Sequence, residues 1–199
     1  MRVPRTVFVL LVGLAFALAE GACACSRSAP VSALEPADGA PIDTDLMAYL
    51  SEARAIHHAA NIKEEERDLP GAVTTLERLV HAKTPHEGSR VPEVEEVLAD
   101  TYARIGELHL RMGDLSGADA ALRAGLEHAP EPTYFRGHLL EVSGIMEEVR
   151  AASLADAGMT DNAAAARSRA IGLLNEAVRI QDQVVSRSLG DGGTEGGRR

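Results

Sequence analysis

From Asp43 to about Arg187 apolar residues recur every three or four positions, the spacing of helices that bury one face. Val94, Val97, Leu98, Tyr102, Ile105 and Met112 mark one such stripe; Leu115, Ala118, Leu122, Leu126 and Ala129 mark the next. Turn residues cut the region into six pieces. Asp68-Leu69-Pro70-Gly71 ends a first helix and starts a second, with Asp68 placed as its cap. Thr84 to Pro92 reads as a loop, Gly113-Asp114 and Pro130-Glu131-Pro132 as tight turns, and Gly158 to Asp161 as the close of a long fifth helix. The pattern predicts an all-α domain over residues 43–189: about six helices of about 14 to 28 residues, joined by short connections as antiparallel hairpins. Residues 190–199 are rich in glycine and lack apolar positions, and read as a disordered tail.

Composition sharpens this. Apolar residues reach 45%, yet aromatics are only 3% and Trp is absent. A core made of Ala, Leu, Val and Ile suits closely packed helices and argues against all-β folds, which rely on β-branched and aromatic strands. The formal charge is −10. Removing residues 1–25 takes away two cations, Arg2 and Arg5, and one anion, Glu20, which makes it −11. Such a body repels phosphate backbones, so nucleic acid is not an expected partner.

The N-terminus reads as an address. Arg2 and Arg5 precede an apolar run of thirteen residues, Val7 to Ala19. That run suits a secretory signal and falls short of the roughly 20 residues needed to span a bilayer. Ala17-Leu18-Ala19 supplies the small-x-small pattern of a cleavage site. Cys23 and Cys25, the only cysteines, lie just beyond it. Here the chain resembles a bacterial lipoprotein signal, whose cysteine becomes the lipidated first residue of the mature protein. The resemblance implies Cys25 as the lipidation site, with Ala22 standing where the family prefers Leu. Residues 26–42, rich in Ser, Ala and Pro, then read as a flexible linker. Cleavage after Ala19 and lipidation at Cys25 both remain open. Either implies an exported, periplasmic protein that touches the membrane only through a lipid anchor. The folded body carries no cysteine, hence no disulfide framework and no thiolate metal site.

Asp68-Leu69-Pro70-Gly71-Ala72 recurs as Asp114-Leu115-Ser116-Gly117-Ala118, 46 residues later. Ile56 then aligns with Tyr102, Ala60 with Gly106 and Leu76 with Leu122, so large, small and turn residues repeat together. On these residues the chain resembles the tetratricopeptide repeat family, most fully over residues 99–132, matching that family's period of about 34 residues. Tyr102, Ile105-Gly106, Gly113-Asp114, Ala118, Leu122 and Pro130 stand at the family's positions. His109 replaces its usual Tyr and Gly125 an Ala. Residues 53–85 match more loosely, and Ala170-Ile171, Leu174, Ala177-Val178 and Ile180 look like the second helix of a third unit. The resemblance implies a short solenoid of stacked hairpins whose first helices line a concave, partner-binding surface. Its groove positions fall here on Arg54, His57, Asn61, Glu64 and Glu65, and on Asp100, Ala103, Glu107, Leu110 and Arg111. Carboxylates dominate that set, which favours a basic or mixed-charge protein segment. A plain helical bundle, with these residues forming a solvated face, is the simpler alternative.

Candidate chemistry is sparse. There is no Gly-rich phosphate loop and no Gly-x-Ser-x-Gly elbow. His57, His58, His81, His86, His109, His128 and His138 invite a metal, but no His-Glu-x-x-His or Glu-x-x-His occurs. The reading is therefore a non-enzymatic adaptor without cofactor or metal. The alternative is a helical-bundle carrier that binds a metal or small ligand through histidines. Ile145, Met146, Val149, Val178, Val184 and Val185 exceed what a thin cap needs, so the last two helices also suggest a homo-oligomerisation face.

Overall fold

The computed structural model describes residues 42–86 and 88–191. Cys25, the leader and residues 26–41 lie outside the described residues. The fold is all-α. Six helices follow in order, α1 (Thr44–Glu65), α2 (Leu69–Val80), α3 (Pro92–Arg111), α4 (Leu115–His128), α5 (Tyr134–Asp156) and α6 (Thr160–Asp191). Two lengths depart from the sequence expectation. α2 has only 12 residues and ends at His81, whose ring Nδ1 lies 2.7 Å from the Glu77 carbonyl that its own backbone N–H also reaches, at 3.2 Å. α6 runs for 32 residues, through Gly190 to Asp191. A single glycine costs a helix only about 1 kcal/mol, so Gly190 does not start the tail.

Capping fixes where the helices begin. The carboxylates of Asp43, Asp68 and Asp114 accept the backbone N–H of Leu46, Gly71 and Gly117 at 3.0, 3.0 and 2.9 Å. Thr133 caps α5 in the same way through the Arg136 N–H. α3 has no side-chain cap and starts at Pro92, which has no N–H to satisfy. The repeated Asp-x-x-Gly has a steric cause. A Cβ on Gly71 would lie 2.0 Å from its own cap, Asp68 Oδ2, and one on Gly117 2.4 Å from Asp114 Oδ2.

The three hairpins turn alike. Arg67, Gly113 and Gly158 each occupy the left-handed region, at φ 65°, 76° and 75°. The next residue donates its N–H back across the turn: Asp68 to Lys63 O, Asp114 to His109 O and Met159 to Leu154 O, at 2.8, 2.9 and 2.9 Å. This is the glycine-favouring helix stop with its 6→1 bond. Arg67 holds it without being glycine, at a cost of about 1–2 kcal/mol. Arg67→Gly is therefore expected to stabilise the protein by about 1 kcal/mol, the rest being offset by glycine's greater freedom when unfolded. The urea midpoint measures this, and an unchanged or lower midpoint contradicts it.

Asp43 also ties the start of α1 to the α2–α3 connection, since its second oxygen accepts from His86 Nε2 at 2.6 Å. The Leu46 N–H and then His86 hold the Asp43 carboxyl below its ordinary value, and Asp43 raises His86 above 6.5. The histidine's contribution is complete below pH 6.5 and fades as pH rises through its raised folded value. The aspartate's is present above 3.8 and fades as pH falls through its lowered one. The tie is thus strongest from about pH 4 to about pH 6.5. Thermal melts on either side of neutrality should show His86→Ala flattening the loss of stability at rising pH; an unaltered slope would refute the tie.

Each hairpin packs on the next. α1 meets α2 and α3, α3 meets α4 and α5, and α5 meets α6; α2 also touches α3, and α4 touches α5. Among the described residues the backbones of the second helices α2, α4 and α6 do not approach one another closely, although Ala121 of α4 shares a cluster with Leu76 and Leu79 of α2, and Leu126 packs against the cluster of Ala177 and Ile180 of α6. Three linked clusters fill the interior. The first joins Ile56 and Ala60 of α1 to Leu76 and Leu79 of α2 and Leu98 and Leu108 of α3. The second sets Ala99 and Ala103 of α3 against Leu122 of α4 and Leu139, Val142 and Met146 of α5. The third is Leu140 with Ala177 and Ile180. Met146 and Val184 were candidates for an exposed face, but Met146 is buried in the second cluster and Val184 packs against the third. Ile145, Val149, Val178 and Val185 do remain exposed, and Ile171 joins them.

Candidate partner-binding face

On α1, Arg54, His57, Asn61 and Glu64 recur at helical spacing and so share one stripe; on α3, Asp100, Arg104, Glu107 and Arg111 do the same. Packing of α1 against α3 brings the two stripes together. Arg104, which was not among the expected residues, joins them: its guanidinium bonds Asn61 Oδ1 and Glu64 Oε1 and reaches the His57 carbonyl at 3.5 Å. Arg111 takes the other oxygen of Glu64. Burial works against the Glu64 charge, but hydrogen bonds from Arg104 and Arg111 outweigh it and hold the carboxyl below its ordinary value. α5 continues the face. His138 Nε2 stands 3.6 Å from Glu107 Oε1, and its ring stacks on Tyr134. Burial raises the Glu107 carboxyl, with His138 and then Arg104 pulling the other way.

Leu110 turns instead toward the second core cluster, and Ala103 is fully buried within it. Glu65 is exposed and forms no ion pair with a described residue. A simple signal would have found Arg104. The groove position implied by the resemblance falls on Ala103, but four residues from Asp100 along the same stripe leads to Arg104.

His57 has a defined tautomer. The Thr101 hydroxyl, fully buried, donates to the Val97 carbonyl at 2.7 Å. Its 2.9 Å contact with His57 Nε2 must then be accepted by the hydroxyl oxygen, so Nε2 carries the proton. Burial lowers the His57 value, against the opposing charge of Asp100. Above its lowered value the ring is neutral, and Nδ1 is then left as an acceptor with no described protein partner.

Beside it, at the N-terminal end of α3, the first helices open into a cleft of about 360 Å³. Leu50, Ala53, Val97 and Phe135 supply its apolar lining; Arg54, His57, Glu93, Glu96 and Asp100 supply the polar one.

The other histidines are dispersed. His86, His109 and His128 each face a carboxylate, on Asp43, Asp114 and Glu95. Among the described residues no three His, Asp or Glu side chains are grouped so as to hold a metal ion. No described helix is long and apolar enough to cross a membrane.

No family model matches the chain, and neither a curated protein nor a solved structure matches it.

Proposed function

We propose that the protein is a non-enzymatic adaptor of the bacterial envelope that binds a protein partner across the joined face of α1, α3 and α5. The observation that carries this reading is the polar stripe running over three helices, locked by Arg104, Arg111 and Glu64 between α1 and α3 and continued onto α5 where His138 faces Glu107. A rigid face of this kind presents its polar groups without an ordering cost on binding. Three alike turns, and packing of α1 on α3 and of α3 on α5 without close backbone approach of α2, α4 and α6 among the described residues, support a tetratricopeptide-like stack in which these first helices line the binding side. The partner segment suited to it is basic or of mixed charge, with attraction that weakens as salt rises. Export by the N-terminal signal, anchoring through lipid on Cys25 and self-association through α5 and α6 belong to the same reading.

Position-specific photocrosslinking in envelope fractions tests it. Probes replacing Asn61, Asp100 or Tyr134 should give one common adduct, while probes at Arg78 on α2 and Arg123 on α4 should not. Adducts confined to α2 and α4, or absent from every position, would remove the adaptor reading. Fatty-acid labelling of Cys25→Ala addresses the anchor, and undiminished label would exclude that site.

A further inference from the structure

The carboxylates of the shared face are not equivalent. Where α1 and α3 are tied together, Glu64 is taken by two arginines and Glu107 faces His138. At the cleft, Glu93, Glu96 and Asp100 make no ion pair or side-chain hydrogen bond with any described residue. They stand at i, i+3 and i+7 of α3 and so line one side of the opening. The positive end of α3 offsets Glu93 in part; Glu96 and Asp100 lie farther along. The only cation lining the cleft is Arg54, exposed and itself unpaired among the described residues, and His57 is neutral for the reasons given above. The cleft therefore keeps an excess of negative charge above a floor that is apolar.

We infer that this cleft seats one arginine side chain of an extended partner segment, its methylene stem on Leu50, Val97 and Phe135 and its guanidinium among Glu93, Glu96 and Asp100. The lining matches the two halves of that side chain, which buries its stem and keeps its charge at a polar rim. A planar fork with several donors can engage carboxylates placed along a helix, and it can also stack on the Phe135 ring. His57 Nδ1 offers an acceptor to a backbone N–H of the same segment. Arg54 is then a competitor for the carboxylates and sets the affinity downward. This subsite rests on the adaptor reading and specifies what the partner must carry.

The test is a titration of the whole chain with short capped Gly/Ser peptides carrying one central Arg, Leu or Glu, followed by amide chemical shifts. The Arg peptide should shift amides of residues 50–57 and 93–100 saturably, and the Leu and Glu peptides should not. Glu96→Gln with Asp100→Asn should weaken binding about tenfold or more. Arg54→Ala should tighten it about threefold, a gain that damage to the fold cannot imitate. Shifts scattered over other acidic surfaces, or affinity unchanged in the double variant, would overturn the inference. Agmatine, which has the guanidinium and no peptide, must bind more weakly than the Arg peptide; equal affinity would make this a small-cation site and sink the docking role. If the Arg peptide fails while crosslinks from Asn61 and Tyr134 persist, the subsite falls and the adaptor reading stands. If both fail, neither survives.

Discussion

Leu122→Ala is expected to lose about 3 kcal/mol, and Gly106→Val about 2 kcal/mol, but the two together should cost at least 1 kcal/mol less than their sum. Leu122 is almost wholly buried in the second cluster, and it lies over Gly106: a Cβ built there would come 2.9 Å from both Leu122 Cγ and Cδ2. Truncating the leucine leaves a void, whereas adding bulk to the glycine drives α3 and α4 apart. In the double variant the new side chain fills the space the old one vacated. Urea unfolding of the four proteins gives the coupling directly, and strictly additive losses would mean that the helices do not meet at this point. Gly125 makes the equivalent approach between α4 and α5, where a Cβ would fall 2.6 Å from Leu139 Cδ2.

Glu147→Ala is expected to destabilise by about 3 kcal/mol, while Glu147→Leu stays within about 1 kcal/mol of the parent protein. The carboxylate is 5% exposed. It accepts from Arg150 on its own helix at 2.7 Å and from Arg169 Nε across the hairpin on α6 at 2.9 Å. Removing it deletes charged hydrogen bonds and opens a cavity, but both arginines are exposed enough to turn to water. Leucine restores the packing and leaves no cavity, so with both arginines able to reach water it is tolerated where alanine is not. Equal losses for the two variants in thermal melts would show that the ion pair, rather than the filled space, holds α5 to α6.

Much of this architecture is legible from local chemistry. Asp68-x-x-Gly71 and Asp114-x-x-Gly117 announce their own caps, because the bond and the steric need for glycine lie within four residues. Features that depend on a second helix are not. Arg67 gives no hint that it takes a conformation suited to glycine, since the register of two packed helices imposes it. Glu147 reads like any solvated helical carboxylate until Arg169, 22 residues away, is placed beside it. Ile145 and Met146 are chain neighbours of similar hydropathy, yet one faces solvent and the other the core, a difference set by where α3 and α4 meet α5. On the candidate face, residue types were readable and pairings were not. Glu64 and Glu107 look like free acids in the sequence, whereas the fold occupies them and leaves Glu93, Glu96 and Asp100 open.

Because α6 rests mainly on α5, with Leu126 of α4 against the same cluster and Arg187 bonding the Pro132 carbonyl, cohesion among the described residues passes largely from link to link. Amide exchange should accordingly be fastest in the outer half of α6 and slow down inward toward α3, the helix with the most neighbours. Whatever clasps α6 would slow that fraying, so exchange in this helix records its occupancy.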